Sequence, residues 1–378
     1  MRWDGSGLLI VNDQLETFGG QERVLESLLE HYPAADAVAL RFRRRPHHEG
    51  RRLRGAERVR GLRVPGIRRS LLMPVYAGRM ALAPSSGAEI VLSLTQGGSS
   101  AGARTHGAAR HVAYSSGPPT LYGQSELSLA DERRVLRPVV RAALPALRAC
   151  HERLMSRPDR LIANSAYSAR HMSEAYGLEA DVVYPPVRAS FFTPAPRERR
   201  HWLAVGRVTS QKRFDLLVAA FATLSAPLVV AGAGPALERL RAQAPPNVTF
   251  VGFADDESLR ELYRSARGLI CPSLETFGLA MAEALACGTP VIGQRAGGAL
   301  ELVREGVNGV LLDGLDPAAV VEAVEALERL APDPRACRAS IEGYAEERFL
   351  DAMDQVLHSE RALARRTASQ GARRRVAA

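Results

Sequence analysis

The sequence predicts an α/β protein built from two doubly wound domains, each a parallel β-sheet with helices on both faces. Short apolar runs typical of buried strands occur along the chain, and most are followed by a glycine-rich or polar turn and a stretch with helical periodicity. The same alternation occurs in both halves of the 378 residues, a length that allows two domains of ordinary size. We therefore expect two such domains facing each other across a cleft.

In the first half, the pattern of strand, turn and helix is clearest at two places. The run Leu8–Asp13 precedes Gly19-Gly20 and an amphipathic helix, and the run at residues 159–164 precedes a helix with Ser165 as its predicted N-cap. The two glycines allow a close backbone approach to a ligand, or simply a tight turn. Further strand candidates are residues 38–42, 89–94 and 110–115.

Two longer helical stretches are predicted, one in the first half and one at the C-terminus. The first runs from about Leu127 to Met155 and contains Pro138 and Pro145, which predict two or three pieces because proline removes a backbone donor. The second follows Tyr344 and is predicted to end near Ala364, before an arginine-rich tail that we expect to be disordered at its end.

The second half repeats the alternation with greater regularity. Its apolar runs and intervening helical stretches predict one parallel sheet. The strand candidates are residues 202–206, 227–232, 248–253, 268–271, 291–294 and 309–312. The expected domains are 1–190, 191–345 and a C-terminal segment 346–378 that crosses back to the first domain, with the segment Arg188–Arg200 as the best candidate for a linker.

Composition limits the class of protein. A hydrophobic content of 46% with 24% charged residues is that of a soluble globular protein, and no apolar run has the roughly 18 residues of a membrane span. We expect a cytoplasmic location. The four cysteines have no CxxC spacing, which favours reduced core residues.

The segment Arg41–Arg69 carries twelve arginines against two glutamates. Such a segment is compatible with a solvated loop, an anionic membrane surface or a phosphorylated acceptor. Phe42 is its only aromatic residue, so the base-stacking surface of a nucleic-acid-binding protein is not expected.

The candidate chemistry lies in two strand-to-helix loops of the second half. Arg207 and Lys212 follow its first strand, and Lys212 is the only lysine among 50 lysine and arginine residues. Glu275 lies in the loop before a helix predicted over residues 278–287, and Glu283 follows eight positions later, about two helical turns on. Cations and free backbone N–H groups at the carboxyl edge of a sheet favour a diphosphate, so Glu275 is expected to face neutral hydroxyls.

No metal or histidine site is expected from the sequence. Asp255 and Asp256 are interpreted as helix caps, and the histidines are scattered, with His106 or His111 as weak candidates near the cleft. Neither a Walker loop nor a GxGxxG motif occurs.

These residues carry a resemblance to a known family. Arg207, Lys212, the segment ETFGLAMAE with Glu275 and Glu283, and the segments CGTPVIG and AGGALELVREGVNGVLL resemble the family-4 retaining glycosyltransferases, over about residues 202–312. The resemblance implies the GT-B fold, with two Rossmann-like domains. It further implies that Arg207 and Lys212 hold the diphosphate of a nucleotide sugar, that Glu275 contacts sugar hydroxyls, and that Glu283 contacts ribose hydroxyls. The backbone at Phe277, Gly278 and Leu279 would contact the sugar and the phosphates.

The first half is similar to the same family in a looser way. FGGQERV resembles the family's GGAERV, which implies that Gly19 and Gly20 lie near the donor phosphate. The segments DRLIANSAYSARHMSEAYG and VVYPPV are similar to a mannosyltransferase-like branch that builds bacterial polysaccharides. That branch has a histidine where this chain has Ser116 and an arginine where it has Thr120, and a hydroxyl cannot act as a base near neutral pH.

The resemblance implies a retaining transfer of a sugar from a nucleotide diphosphate sugar, such as GDP-mannose or a UDP-sugar, to an acceptor hydroxyl. The acceptor would be a polysaccharide or lipid-linked glycan, or a natural product, and no cofactor or metal is expected. Two alternatives are a nucleotide-sugar epimerase or phosphorylase, and a non-catalytic nucleotide-sugar-binding protein with Ser116 marking a degenerate acceptor site. The basic segment would allow peripheral contact with an anionic membrane, and no nucleic-acid partner is expected.

Overall fold

A computed structural model describes residues 3–376, apart from residues 14, 16–18, 41–53, 63–72, 84, 86, 96–97, 118–129 and 131–136. The chain forms two compact units. The first contains a seven-stranded sheet and the C-terminal residues from Glu347, and the second contains Val187–Glu346 with a six-stranded sheet. In each sheet every pairing between neighbouring strands is parallel.

The first sheet has the strand order β3-β2-β1-β4-β5-β6-β7. Its central strands are apolar and fully buried because helices cover both faces, whereas the short edge strands expose polar residues. The strands are β1 Leu8–Asn12, β2 Asp36–Ala39, β3 Val59–Gly61, β4 Ile90–Thr95, β5 Arg110–Ser115, β6 Arg160–Ala163 and β7 Asp181–Val182. The helices before the second unit are α1 Gly20–His31, α2 Met73–Met80, α3 Arg137–Met155 and α4 Ala166–Tyr176.

The second sheet has the strand order β10-β9-β8-β11-β12-β13. Its strands are β8 His201–Val205, β9 Leu228–Ala231, β10 Val248–Gly252, β11 Ala266–Cys271, β12 Val291–Gln294 and β13 Gly309–Leu312. Its helices are α5 Phe214–Ala220, α6 Leu237–Gln243, α7 Asp256–Ser265, α8 Leu279–Ala286, α9 Ala299–Leu302, α10 Pro317–Leu330 and α11 Pro334–Ala339. The predicted alternation of strands and helices is therefore confirmed.

Helix caps follow the sequence closely. The side chain of Ser165 accepts a hydrogen bond from the Ser168 N–H at the start of α4, and Asp255 accepts one from the Ser258 N–H at the start of α7. Both bonds satisfy N–H groups of the first helical turn, which have no carbonyl partner within the helix. The predicted N-caps at these two positions are confirmed.

The expectation that the prolines divide the helix before Met155 is wrong for the described residues. Helix α3 is continuous over Arg137–Met155 with Pro145 inside it. Pro138 occupies the second helical position, where an N–H group would make no hydrogen bond within the helix, so proline costs no bond there. In a regular helix the N–H of residue 145 would donate to the carbonyl of Arg141, and proline has no N–H to do so. Arg141 is exposed, so water can donate to this carbonyl instead.

The C-terminal helix α12 spans Glu346–Val376, well past the expected end near Ala364. It packs on the first unit. Apolar side chains of Phe349, Met353 and Leu357 are buried in the same core cluster as β1 and α1. Arg361 and Arg365 pair with Glu89, so charge as well as apolar surface fixes the helix there. The arginines of the tail thus extend a helix that is already anchored.

The beginning and the end of the segment Val187–Glu346 are hydrogen-bonded to each other. The Val187 N–H donates to the Tyr344 carbonyl at 3.2 Å, and the Glu346 N–H donates to the Val187 carbonyl at 3.0 Å. The predicted linker that follows is packed on the second unit, since Phe192 is completely buried and Arg188 lies 2.6 Å from Asp256.

Two glycines bring the loops after β8 and β9 into direct backbone contact. Gly232 has a φ of +147°, and a Cβ atom added there would lie 1.8 Å from the Gly206 carbonyl oxygen. The backbone of the β8 loop therefore depends on the missing side chain of Gly232.

Gly232→Ala is expected to lower the free energy of unfolding of the second unit by about 3 kcal/mol or more, because backbone rather than a flexible side chain must move. Denaturant unfolding measures this loss. Gly343→Ala is the matched control, since an added Cβ there meets no atom within 4 Å. Equal stability of the two variants would contradict the close approach.

Two histidines in the core of the first unit predict a dependence of stability on pH. Burial lowers the pKa of His111 and of His151 from 6.5 to about 4, with Asp159 partly opposing the effect at His111. Between these values the unfolded chain binds protons that the folded chain does not. The free energy of unfolding must therefore fall as the pH falls from 6.5 towards 4, by up to about 1.4 kcal/mol per pH unit for each histidine.

Urea unfolding at several pH values in that range tests this expectation, with His111→Gln as the variant and the exposed His106→Gln as the control. The pH slope should be smaller in His111→Gln and unchanged in His106→Gln. NMR titration of the wild-type histidine rings gives the same information without a variant. Protonation of both buried rings near pH 6.5 would contradict the assignment.

Candidate active site

The central strands of the second sheet create a site at their carboxyl ends. Strands β8 and β11 are neighbours, but the chain leaves β8 towards β9 on one side and leaves β11 towards β12 on the other. In an open parallel sheet, the loops that diverge at such a point leave a crevice in which ligands bind.

The loop after β8 supplies the cations. Arg207 is exposed, and its side chain makes no hydrogen bond or ion pair with any residue that the structure describes. Lys212 ends a 3₁₀ turn over Ser210–Lys212, and Arg213 follows in the left-handed region with a φ of 53°. This sharp change of direction sets the start of α5 and leaves Lys212 in the loop.

The loop after β11 supplies the carboxylate. Residues 272–278 join the strand to α8, with Ser273 and Phe277 buried. Phe277 packs against the ring of Tyr344 at 5.5 Å between centroids. These contacts fix both ends of the loop and hold Glu275 between them.

Lys212 and Glu275 form an ion pair across the two strand ends. Lys212 Nζ lies 2.5 Å from Glu275 Oε1, with side-chain exposures of 25% and 20%. The Ser273 hydroxyl donates to the same oxygen at 2.7 Å. Glu275 Oε2 has no partner among the described residues, so it can still accept a hydrogen bond from a ligand.

A third loop, after β12, packs on the backbone around Glu275. The Gly298 N–H donates to the Glu275 carbonyl at 2.8 Å. A Cβ atom on Gly297 would lie 2.3 Å from that carbonyl oxygen. The AGG segment of the sequence thus makes the close backbone contact that holds the loop of Glu275 in place.

The start of α8 adds backbone donors to the same loop. Gly278 is the N-cap with a φ of 100°, no side chain caps the helix, and its first turn contains no acidic residue. The N–H groups of the first turn have no partners within a helix, and they carry partial positive charge. Phe277, Gly278 and Leu279 therefore border a place suited to an anionic group.

Glu283 lies further along α8 and is only 5% exposed. The hydroxyl of Tyr263, on α7, donates to Glu283 Oε2 at 3.1 Å. A buried carboxylate needs such a donor because removing it from water without one is costly. Glu283 is thus held by a contact separate from the Lys212–Glu275 pair.

The two cysteines near these glutamates are not reactive. Burial raises the pKa of the Cys271 thiol to about 12, and Glu275 adds to the effect. Burial likewise raises the pKa of Cys287 to about 12. All four cysteines are free, as the sequence predicts, although Cys150 is only half-buried.

Three of the predicted site residues lie in the first unit. Gly19 is the N-cap of α1 and Gly20 is its first residue, and both are exposed. Gly19 has a φ of −161°, which any residue adopts, so its backbone does not require glycine. Ser116 follows β5, and its carbonyl accepts a hydrogen bond from the Ser168 hydroxyl at 3.0 Å. Thr120 lies outside the described residues.

His106 and His111 are not at the carboxyl edge of the first sheet. His106 precedes β5, and His111 is its second residue, so both lie towards the amino end of that strand. His111 is buried with Nε2 2.5 Å from the Ser93 hydroxyl. The weak expectation that one of them stands near a ligand is therefore wrong, and His111 is a core residue.

The basic segment Arg41–Arg69 is described only over residues 54–62. Its arginines there have partners within the first unit. Arg54 lies 2.8 Å from Glu30, Arg58 donates to carbonyls at the end of α1, and Arg60 lies 3.0 Å from Asp36. In the described ranges, no helix combines the length and apolar content needed to cross a membrane.

The sequence did not single out three residues that contact Glu275 or Glu283. Ser273 could have been found from its place two residues before Glu275 in a strand-to-helix loop. Gly297 stands in a glycine pair before a short helix, which signals a close backbone contact. Tyr263 gives no such signal, because an aromatic residue in an amphipathic helix is typical of a core.

Solved structures share this architecture. A structure of Anabaena HepE in complex with UDP-glucose aligns with a TM-score of 0.70 at 18% identity, covering 93% of this chain and 99% of that one. Sucrose-phosphate synthase from Thermosynechococcus elongatus aligns with a TM-score of 0.65 at 20% identity, covering 98% and 100%. These likenesses concern the fold, and they confirm the predicted fold class of two Rossmann-like, parallel-sheet units with GT-B structural neighbours.

Curated relatives are similar over part of the chain. A D-inositol 3-phosphate glycosyltransferase from Thermomonospora curvata is 36% identical over 232 residues, which is 50% of this chain and 53% of the relative. One from Mycobacterium sp. (strain KMS) is 32% identical over 275 residues, 61% and 62% respectively. The chain thus spans between half and two thirds of the length of these relatives. Neither is named as a mannosyltransferase, so the resemblance to that branch stays a prediction.

The match to a protein family falls on the unit that holds the site. Residues 199–329 match the family described as Glycosyl transferases group 1. This range contains Arg207, Lys212, Glu275 and Glu283, together with strands β8–β13. The second unit of this chain is therefore similar to the group 1 glycosyl transferases over these residues.

Proposed function

We propose that this chain transfers a sugar from a nucleotide diphosphate sugar to an acceptor hydroxyl. The observation that carries the proposal is the Lys212–Glu275 pair, placed across the strand ends of β8 and β11 and beside the start of α8. The pair sets a cation, a carboxylate and free backbone donors in one crevice. The diphosphate of a nucleotide sugar can bind to the cation and to the backbone donors. Its sugar hydroxyls can donate to the carboxylate.

Lys212 binds the diphosphate in this proposal. An ammonium has three donors, and Glu275 engages one of them, so the others remain for phosphate oxygens. Arg207 and the N–H groups at Gly278 and Leu279 share the negative charge that develops as the diphosphate leaves. Because these groups neutralise the leaving group, we propose that turnover needs no divalent cation.

Glu275 binds the sugar. Its Oε1 is occupied by Lys212 and Ser273, which fixes the carboxylate and directs Oε2 to a hydroxyl donor. Lys212 also screens the repulsion between the carboxylate and the phosphates. Glu283 receives the ribose hydroxyls of the nucleotide, and the backbone at Phe277–Leu279 receives the sugar and phosphate oxygens.

The relatives and the solved structures support particular classes of acceptor and donor. The relatives named D-inositol 3-phosphate glycosyltransferases support a polyol phosphate, and the bacterial polysaccharide resemblance supports a lipid-linked glycan. The complex of HepE with UDP-glucose supports a UDP-sugar as donor, with GDP-mannose as the second candidate.

We propose retention of the anomeric configuration, with the leaving phosphate taking the acceptor proton, so that Ser116 need not act as a base. Gly19 and Gly20 would lie near the donor phosphates, and Arg41–Arg69 would contact an anionic membrane.

Lys212→Ala and Glu275→Ala are each expected to lower turnover by about 100-fold or more, because both groups act on charge and hydroxyls in the transition state. Release of nucleoside diphosphate in the presence of acceptor measures turnover, and thermal unfolding checks that each variant is folded. The control is Arg241→Ala, an exposed arginine that pairs only with Glu238 among the described residues. It should behave as wild type.

Wild-type turnover in either folded variant would remove that residue from the site. Two other results would change the assigned activity. Donor binding without any transfer or hydrolysis would indicate a non-catalytic binding protein. Conversion of the donor without an acceptor would indicate an epimerase.

A further inference from the structure

Two neighbouring helices of the first unit, α2 and α3, bury their inner faces together. Ala77 of α2 and Leu147 of α3 belong to one buried cluster, which also contains Ala113 of β5 and Ala163 of β6. The outer faces of the two helices are turned to solvent. We call the exposed residues within 74–82 and 138–153 the α2–α3 face.

Large apolar side chains lie exposed on the α2–α3 face. Val75 and Leu82 are 50% and 75% exposed, and seven residues separate them along α2 and the turn that extends it. This spacing places both on one side of the helix. Val139 of α3 is 54% exposed. Small apolar residues are exposed further along α3, namely Ala142, Pro145, Ala146 and Ala149. Three large apolar side chains on adjoining helices differ from the single exposed ones that any surface carries.

The same face carries an excess of positive charge. Arg79 is exposed on α2, and Arg141, Arg148 and Arg153 are exposed on α3. Within residues 74–82 and 137–155, the one acidic residue is Glu152. Arginine binds phosphate groups with several N–H donors at once. The α2–α3 face therefore combines apolar surface with groups that bind phosphate.

We propose that the α2–α3 face docks on an anionic lipid surface. Apolar side chains such as Leu82 enter the boundary between head groups and acyl chains, while guanidinium groups bind lipid phosphates beside them. A second copy of this chain fits less well, since the same face on both copies would set arginines opposite arginines. The proposal does not rest on the proposed function, and the α2–α3 face lies outside the segment Arg41–Arg69.

The test is co-sedimentation of the full chain with phosphatidylcholine vesicles that do or do not contain phosphatidylglycerol. Wild type should bind only the anionic vesicles, and high salt should weaken that binding by screening the charges. Arg148→Ala combined with Arg153→Ala should weaken it by about tenfold because positive charge is lost. Val75→Ser combined with Leu82→Ser should also weaken it by about tenfold because less apolar area is buried.

Matched controls make the same changes on the second unit. Arg239 and Arg241 are exposed on α6, and Val307 and Leu315 are 45% and 41% exposed. Arg239→Ala combined with Arg241→Ala, and Val307→Ser combined with Leu315→Ser, should each bind vesicles as wild type does. Thermal unfolding checks that every variant is folded. If the variant of Val75 and Leu82 does not fold, Leu82→Ser alone must show a smaller loss of binding.

The variant Leu82→Trp reports insertion directly. The two native tryptophans, Trp3 and Trp202, are only 7% and 1% exposed, so their fluorescence should change little on binding. Emission from Leu82→Trp should shift to shorter wavelength when anionic vesicles are added. Emission from the control Leu315→Trp should not shift.

Three results would overturn the inference. The first is a wild type that does not bind anionic vesicles at low salt, which would leave an acidic protein as the partner to seek. The second is unchanged binding in the folded variants of the α2–α3 face, with binding lost when Arg43, Arg44 and Arg45 are changed to alanine. The third is vesicle binding by Leu82→Trp without a shift in its emission. None of these measurements involves turnover, so failure of the proposed sugar transfer would leave them unaffected.

Discussion

The position of two opposite charges at the carboxyl edge of the second sheet depends on the conformation of the backbone around them. The ion pair of Lys212 and Glu275 joins loops that leave neighbouring strands in opposite directions, so neither side chain reaches the other unless both loops are fixed. Gly232 lets the loop of Lys212 pack on the loop after β9, and Gly297 lets the loop of Glu275 pack on the loop after β12. Close backbone contacts between loops thus set the geometry of the charged groups.

The equivalent point in the first unit is built differently. There β1 and β4 are the neighbouring strands from which the chain diverges. Asp13, at the end of β1, is 4% exposed and accepts hydrogen bonds from the Thr95 hydroxyl and the Ser100 N–H. Gln21 donates to the carbonyl of Leu94 in the same region. The polar groups at this strand end bond to one another, whereas Lys212 and Glu275 stay partly exposed. The same sheet topology therefore carries a structural cluster in one unit and an accessible charge pair in the other.

The strands and the charged loops could be predicted because each leaves a local signal. Buried parallel strands are short apolar runs, and a glycine or polar turn marks where each ends. Lys212 and Glu275 were found because both follow such runs and because carboxyl ends of parallel strands share one edge. Pro145 and the helix beyond Ala364 were misjudged because tertiary contacts decide them: α12 is anchored by Phe349 and by the Glu89 pairs, which local composition does not show. Tyr263 was missed for the same reason, since its partner Glu283 is twenty residues away and on another helix.

The most direct measurement is a crystal structure of the protein with the nucleoside diphosphate or nucleotide sugar that binds it most tightly. We expect diphosphate oxygens within hydrogen-bond distance of Lys212 Nζ and of the N–H groups at the start of α8, with Glu275 on a sugar hydroxyl when the sugar is present. A diphosphate bound away from the ends of β8 and β11, with Lys212 contacting only Glu275, would contradict it.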